Sequence, residues 1–152
     1  MPVVGPSGSG GTAGVELNYT QITSSVTVTS TTEATGTSVF APAAVVFDGQ
    51  PVLVTMWFPE VSLSPAAQAD AVFLNLFEGA TQIGRLGLWK ASAAADTRWG
   101  GATILFRFSP SAASHTYTVT AFKTAAGDAA GFNCGAGGTG TEVPAFFRIT
   151  KV

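Results

Sequence analysis

The chain has 152 residues, with seven Lys and Arg against nine Asp and Glu, a net charge of −2. Charged residues make up 11% of it, less than half the share of about 25% typical of soluble domains. This length fits one domain with a real core, and the balance leaves no basic footprint for nucleic acid or anionic lipid. A charge-rich active site is excluded. The composition favours a structural or binding module over an enzyme, with no cofactor.

The single cysteine, Cys134, cannot form an internal disulfide, and the single histidine, His115, offers no imidazole pair for a metal. The start, MPVVGPSGSGG, has neither a basic nor an apolar segment of signal-peptide type. No apolar run approaches the length of about 18 residues needed for a membrane-spanning helix. So few ionic groups must cover the outside that part of the surface is expected to be buried against copies of itself, which predicts an oligomer.

Residues 1–16 differ from the rest. Gly5, Gly8, Gly11 and Gly14 recur every third residue, the Gly-x-y spacing of a collagen triple helix, where only glycine fits at the axis. Three triplets are too few to be stable alone. Two readings stand: a flexible Gly/Ser arm, or a collagen-like stub entering a threefold assembly. Both make Pro2, Val3, Val4, Gly5, Pro6, Gly8, Gly11 and Gly14 available for binding another surface.

From residue 17 to 152 the pattern is β. Ser25–Ser30 alternates with period two. Pro51–Phe58 is a nearly continuous apolar run, expected as a central strand after the Asp48-Gly49 turn. Ala71–Glu78 and Gln82–Trp89 predict a hairpin. Thr103–Phe108 places Ile104, Phe106 and Phe108 on one face, and Pro110 stops it. In His115–Lys123, Tyr117, Val119 and Ala121 share a face. Phe146–Val152 runs as a strand to the last residue. Ser64–Ala69 and Ala91–Ala95 are Ala-rich but too short for more than a helical turn. About eight strands with turn residues between them predict an all-β fold, a jelly-roll-like antiparallel β-sandwich behind the arm. Residues 125–141, rich in glycine, are expected as one long loop.

Motifs for chemistry are weak. Gly135–Gly140 matches G-x-G-x-x-G, but no strand–helix context surrounds it, which argues against nucleotide binding. His115 is expected at an exposed strand end, without a triad, and Cys134 has no basic neighbour to activate it. Glu33, Asp48, Glu60, Asp70, Glu78, Asp96, Asp128 and Glu142 yield no evident pair for glycoside hydrolysis. Asn18-Tyr19-Thr20 is a formal glycosylation sequon. Trp57, Phe106, Phe146, Phe147 and Ile149 are candidates for core or trimer contacts. Trp99, beside Arg98 and Gly100-Gly101, is the candidate for a glycan platform.

The Gly-x-y stub, the Thr-rich SSVTVTSTTEATGTSVF, the apolar VFDGQPVLVTMWFP and the terminal PAFFRITKV together resemble small bacteriophage virion proteins. In those, collagen-like repeats precede a trimerising β-sandwich. A more distant similarity is to the trimeric jelly rolls of complement-like and tumour-necrosis-factor-like proteins. The phage resemblance implies a non-enzymatic homotrimeric decoration protein. It would lie on the outer surface of the phage head, with the major capsid protein as partner and the arm ordering on the shell. The alternative it implies is a tail or head fibre tip binding host-surface glycan through Trp99 and residues 125–141.

Overall fold

The computed structural model describes residues 13–66, 70–92 and 95–152. Twelve strands are found there: β1 (Glu16–Ile22), β2 (Val26–Thr27), β3 (Thr37–Phe40), β4 (Val45–Val46), β5 (Val52–Ser64), β6 (Ala71–Glu78), β7 (Thr81–Lys90), β8 (Thr97–Phe108), β9 (Ser114–His115), β10 (Tyr117–Lys123), β11 (Ala129–Asn133) and β12 (Ala145–Lys151). None of the described residues is helical. The arm residues Pro2 to Gly11 lie outside the described residues.

The topology follows one rule. β6 pairs with β7, β5 with β8, β4 with β9, β3 with β10, β2 with β11 and β1 with β12, all antiparallel. The chain is a single long hairpin of nested pairs, closed by the Gly79-Ala80 turn. The ribbon then wraps on itself. β12 and β11 pair end to end along one edge of β5, and β10 pairs with β6. The result is a six-stranded sheet built on β5 and a four-stranded sheet ordered β3-β10-β6-β7. This is the expected jelly-roll-like antiparallel β-sandwich.

Alternation along each strand builds the core. Val52, Val54, Met56 and Phe58 of β5 point inward, as do Leu74 and Leu76 of β6, Tyr117, Val119 and Ala121 of β10, and Phe147 and Ile149 of β12. All are buried, and Phe40 bridges the sheets through ring contacts with Phe58 at 5.5 Å and Phe147 at 6.0 Å. Burying such side chains contributes about 1.5–3 kcal/mol each.

Four expectations need correction. Residues 125–141 are not one loop: β11 runs through them, pairing with both β5 and β2. Its AAGFN sequence is short and Gly-bearing, so no periodicity marks it, yet Ala130 and Phe132 are buried. The apolar run from Pro51 does not stop at Pro59. β5 continues to Ser64, because Pro59 falls where β12 ends and β11 begins, so its missing N–H falls at an interruption of the ladder. Opposite it, Gly101 takes φ +63, and the inward set of β5 steps from Phe58 to Val61. The strand expected from Thr103 starts earlier: β8 begins at Thr97 and carries Gly100-Gly101 within it. The Ser25–Ser30 run forms only a two-residue strand. It is a corner, where Val28 N–H donates to Ala130 O in one sheet and Ser30 O accepts from Lys123 N–H in the other.

Gly14 is corrected as well. It is not part of a free arm: its N–H donates to Lys151 O at 2.8 Å, fixing the chain beside β12 before β1 begins.

Candidate functional site

Among the described residues one arrangement resembles a triad. Ser111 Oγ lies 3.0 Å from His115 Nε2, and His115 Nδ1 meets the Glu78 carboxylate. Sequence reading missed this, because Glu78 is 37 positions away and comes close only through the sandwich. The Ser111 carbonyl also sits 3.1 Å from Nε2. The Ser111 carbonyl at Nε2 and the Glu78 carboxylate at Nδ1 are both acceptors, so the imidazole is held between them as a structural link. The group clamps the β8–β9 loop to the end of β6. Its histidine is partly buried rather than an exposed strand-end residue.

Cys134 is buried, and its thiol donates to Ser24 O at 3.2 Å. Burial pushes its pKa up, the opposite of activation. The Gly135–Gly140 segment folds back on itself, with Gly135 N–H donating to Val143 O and Gly137 N–H to Glu142 O. Those amides are spent internally, and the chain proceeds to β12 rather than to a helix. Asn18 Oδ1 accepts from Thr20 Oγ1 at 3.0 Å inside β1.

The face that stands out is the outer side of the larger sheet. Strand register lines up its side chains across β1, β12, β5 and β8. One row runs Gln21, Phe146, Trp57, Thr103; the next runs Tyr19, Arg148, Thr55, Leu105. Phe146 stacks on Tyr19 at 5.7 Å and on Trp57 at 6.4 Å, with interplanar angles of 26° and 25°. Tyr19 is 45% exposed and Leu105 64%. Arg148 Nε is buried among these groups without a hydrogen-bond partner among the described residues. A buried guanidinium N–H without a partner among the described residues, beside a partly exposed aromatic stack, is an unfinished arrangement.

The five residues proposed for core or trimer contacts thus divide. Phe147 and Ile149 are fully buried core, and Phe106 packs against that core from β8. Trp57 and Phe146 stand outside the core cluster, half-buried on the outer face. The alternation of β12 forces this split, since Phe146 and Phe147 point to opposite faces. Trp99, opposite Val61 and just ahead of the Gly100-Gly101 kink, packs against the core. It is not the open platform expected.

The opposite outer face is more closed. Phe73 stacks on Phe122 at 4.7 Å, but the Arg85 guanidinium covers Phe73 at 4.6 Å from the ring centre. Arg85 is held by Glu33 at 2.7 Å. That hydrogen bond, with a second from Gln82, draws the Glu33 pKa below its ordinary value.

No family model matches the chain, and no curated protein matches it. Among solved structures, the chain is similar to the Eiger TNF from S. frugiperda, with 12% identity and a TM-score of 0.40 over 93% of this chain and 94% of that one. It is also similar to the CBM22-1 xylan-binding domain of Paenibacillus barcinonensis Xyn10C, with 13% identity and a TM-score of 0.38 over 93% of this chain and 97% of that one.

Proposed function

We propose that this chain is a non-enzymatic structural module that assembles as a homotrimer through the outer face of its larger sheet. Its role is that of a bacteriophage capsid decoration protein on the outer surface of the head, where the major capsid protein is its partner. The observation that carries the assembly is the stack Tyr19–Phe146–Trp57, in which Tyr19 is exposed and the other two rings are half-buried, with the exposed Leu105 beside it in a chain with so few charges. A second copy would cover these rings and offer an acceptor to the unpaired Nε of Arg148. The threefold number is supported by the Gly-x-y spacing, and the virion setting by the sequence resemblance. Because Gly14 is tied to β12, every arm would leave its subunit at the edge strand β1, next to the apolar face. Arms of neighbouring subunits would emerge close together, placed to order on the shell and bridge capsid subunits. Binding only the assembled lattice would stabilise it by mass action.

Light scattering on the purified chain tests the assembly. The expected mass is that of three chains rather than the 15.4 kDa of one. Leu105→Glu places a charge on the apolar row and is expected to give the single-chain mass. Leu88→Glu, on the other sheet and 55% exposed, leaves the mass unchanged. A single-chain mass for the wild type overturns the reading. Co-sedimentation with phage heads lacking decoration tests the setting, and a chain lacking residues 1–11 is expected to lose most of its binding.

A further inference from the structure

The aromatic row occupies only half of the larger sheet's outer face. Beyond the Pro59–Gly101 kink the same face becomes polar and hollow. A cleft of about 350 Å³ opens there, lined among others by Thr27, Ser62, Ser64, Arg98, Gly131 and Asn133. That volume lies at the low end of the range for small-molecule sites, about 300–1,000 Å³.

Its depth comes from Gly131. A side chain there would stand 3.2 Å from Asn133 Oδ1 and 3.5 Å from Ser62 Oγ, so the cleft exists because that residue has none. Its rim is a preset array of planar polar groups. Asn133 Nδ2 donates to Glu60 Oε1 at 2.6 Å and to Ser62 Oγ at 3.1 Å. Arg98 Nη1 donates to the same Glu60 oxygen at 3.0 Å, and Arg98 Nε to Asp96 Oδ2 at 3.4 Å. These bonds fix the side chains but do not exhaust them. Among the described residues, Glu60 Oε2, Asn133 Oδ1 and Arg98 Nη2 have no hydrogen-bond partner, and neither have the hydroxyls of Ser64 and Thr27.

We propose that this cleft binds a neutral polyhydroxylated ligand, a saccharide unit of a glycan chain. The unspent groups include both acceptors and donors, which a sugar needs because each hydroxyl gives and takes a hydrogen bond. Fixed planar forks such as carboxylate, carboxamide and guanidinium reach two adjacent hydroxyls at once. The charge balance selects against ions. Arg98 stands between Glu60 and Asp96, so both carboxylates are paired away from a metal cation, while their net negative charge repels a phosphate or an acidic sugar. The cleft lies on the same sheet face as the aromatic stack, beyond the Pro59–Gly101 kink, and shares no lining residue with it. Ligand binding is therefore expected to survive loss of assembly.

Affinity electrophoresis tests the proposal, using native gels containing a soluble β-glucan, a galactomannan, a xylan or, as the acidic arm, polygalacturonate. The wild-type chain is expected to be retarded by at least one neutral polymer and not by polygalacturonate. Arg98→Ala removes an exposed side chain and leaves the fold intact. It is expected to weaken retardation by about tenfold or more, the loss for removing a hydrogen bond to a charged group. Ser64→Ala is expected to weaken it less. Leu105→Glu retains wild-type retardation even as a single chain, so failure of the assembly reading and failure of this one are distinguishable. Absence of retardation by every neutral polymer overturns the proposal. So does equal retardation of wild type and Arg98→Ala, loss in Leu105→Glu, or preference for polygalacturonate.

Discussion

Tyr117 shows how a single buried group carries a measurable signature. Its ring is packed edge-on against Phe47 at 5.8 Å and Phe108 at 5.3 Å. Its hydroxyl is buried without a hydrogen-bond partner among the described residues. Burial first, and the nearby Glu78 charge second, push its pKa from 10.0 up to about 12. The folded state thus holds the proton more tightly than the unfolded one. The contribution to stability is complete below pH 10 and is lost as pH rises to about 12. Ultraviolet titration should show one tyrosine ionising only near pH 12 or with alkaline unfolding. Tyr117→Phe deletes a hydroxyl that has no partner, so the expected change in unfolding free energy is zero to about +1 kcal/mol, read by urea denaturation. A clear loss of stability would mean that the hydroxyl is bonded after all.

At the scale of elements, β12 and the loop before it depend on close backbone approach. A Cβ on Gly135 would meet the Glu142 carbonyl oxygen at 2.6 Å. Backbone cannot yield as a flexible side chain can, so Gly135→Ala should cost about 1–3 kcal/mol, visible as a lowered thermal midpoint. The segment from β2 to β3 is held differently, by the strap from Glu33 to Arg85 and Gln82 on β7. The lowered Glu33 pKa means the folded state binds this proton less readily. Its contribution is present above the ordinary value of 4.5 and is lost as pH falls through the lowered one. Glu33→Gln should flatten the acid side of the stability profile without moving the neutral plateau much, because the pair is half-exposed. The edge strand β8 also needs protection from non-specific pairing. The Gly100-Gly101 kink interrupts its edge, and Arg98 and Arg107 charge it.

For the whole molecule, one sheet face divides into an apolar half, where assembly is proposed, and a polar half, where ligand binding is proposed. The proposed assembly through aromatic rings and Leu105 would rest on apolar burial, so it should persist when salt is raised from about 0.1 M to 1 M, where the screening length falls from about 10 Å to 3 Å. Light scattering across that range checks it. Dissociation by salt would point to ion pairs as the driving force instead.

The amino-acid pattern by itself determined the fold class and most strand cores, because period-two alternation reports which face of a strand is buried regardless of its partners. Ala71–Glu78 was legible to the residue, and Gln82–Trp89 fell one residue short of β7 at each end. Where the pattern misled, tertiary surroundings overruled it: Pro59 follows the expected run Pro51–Phe58 yet lies inside β5, and β8 starts at Thr97 rather than at the expected Thr103. The candidate site was half legible. Trp57 and Phe146 were visible as large apolar groups, but alternation alone could not say which sheet face was covered. Asn133, Glu60 and Arg98 sit on three strands, and only the folding of the ribbon onto β5 brings their side chains together. Non-local register decided the site, because a sequence carries each strand's faces but not its neighbours.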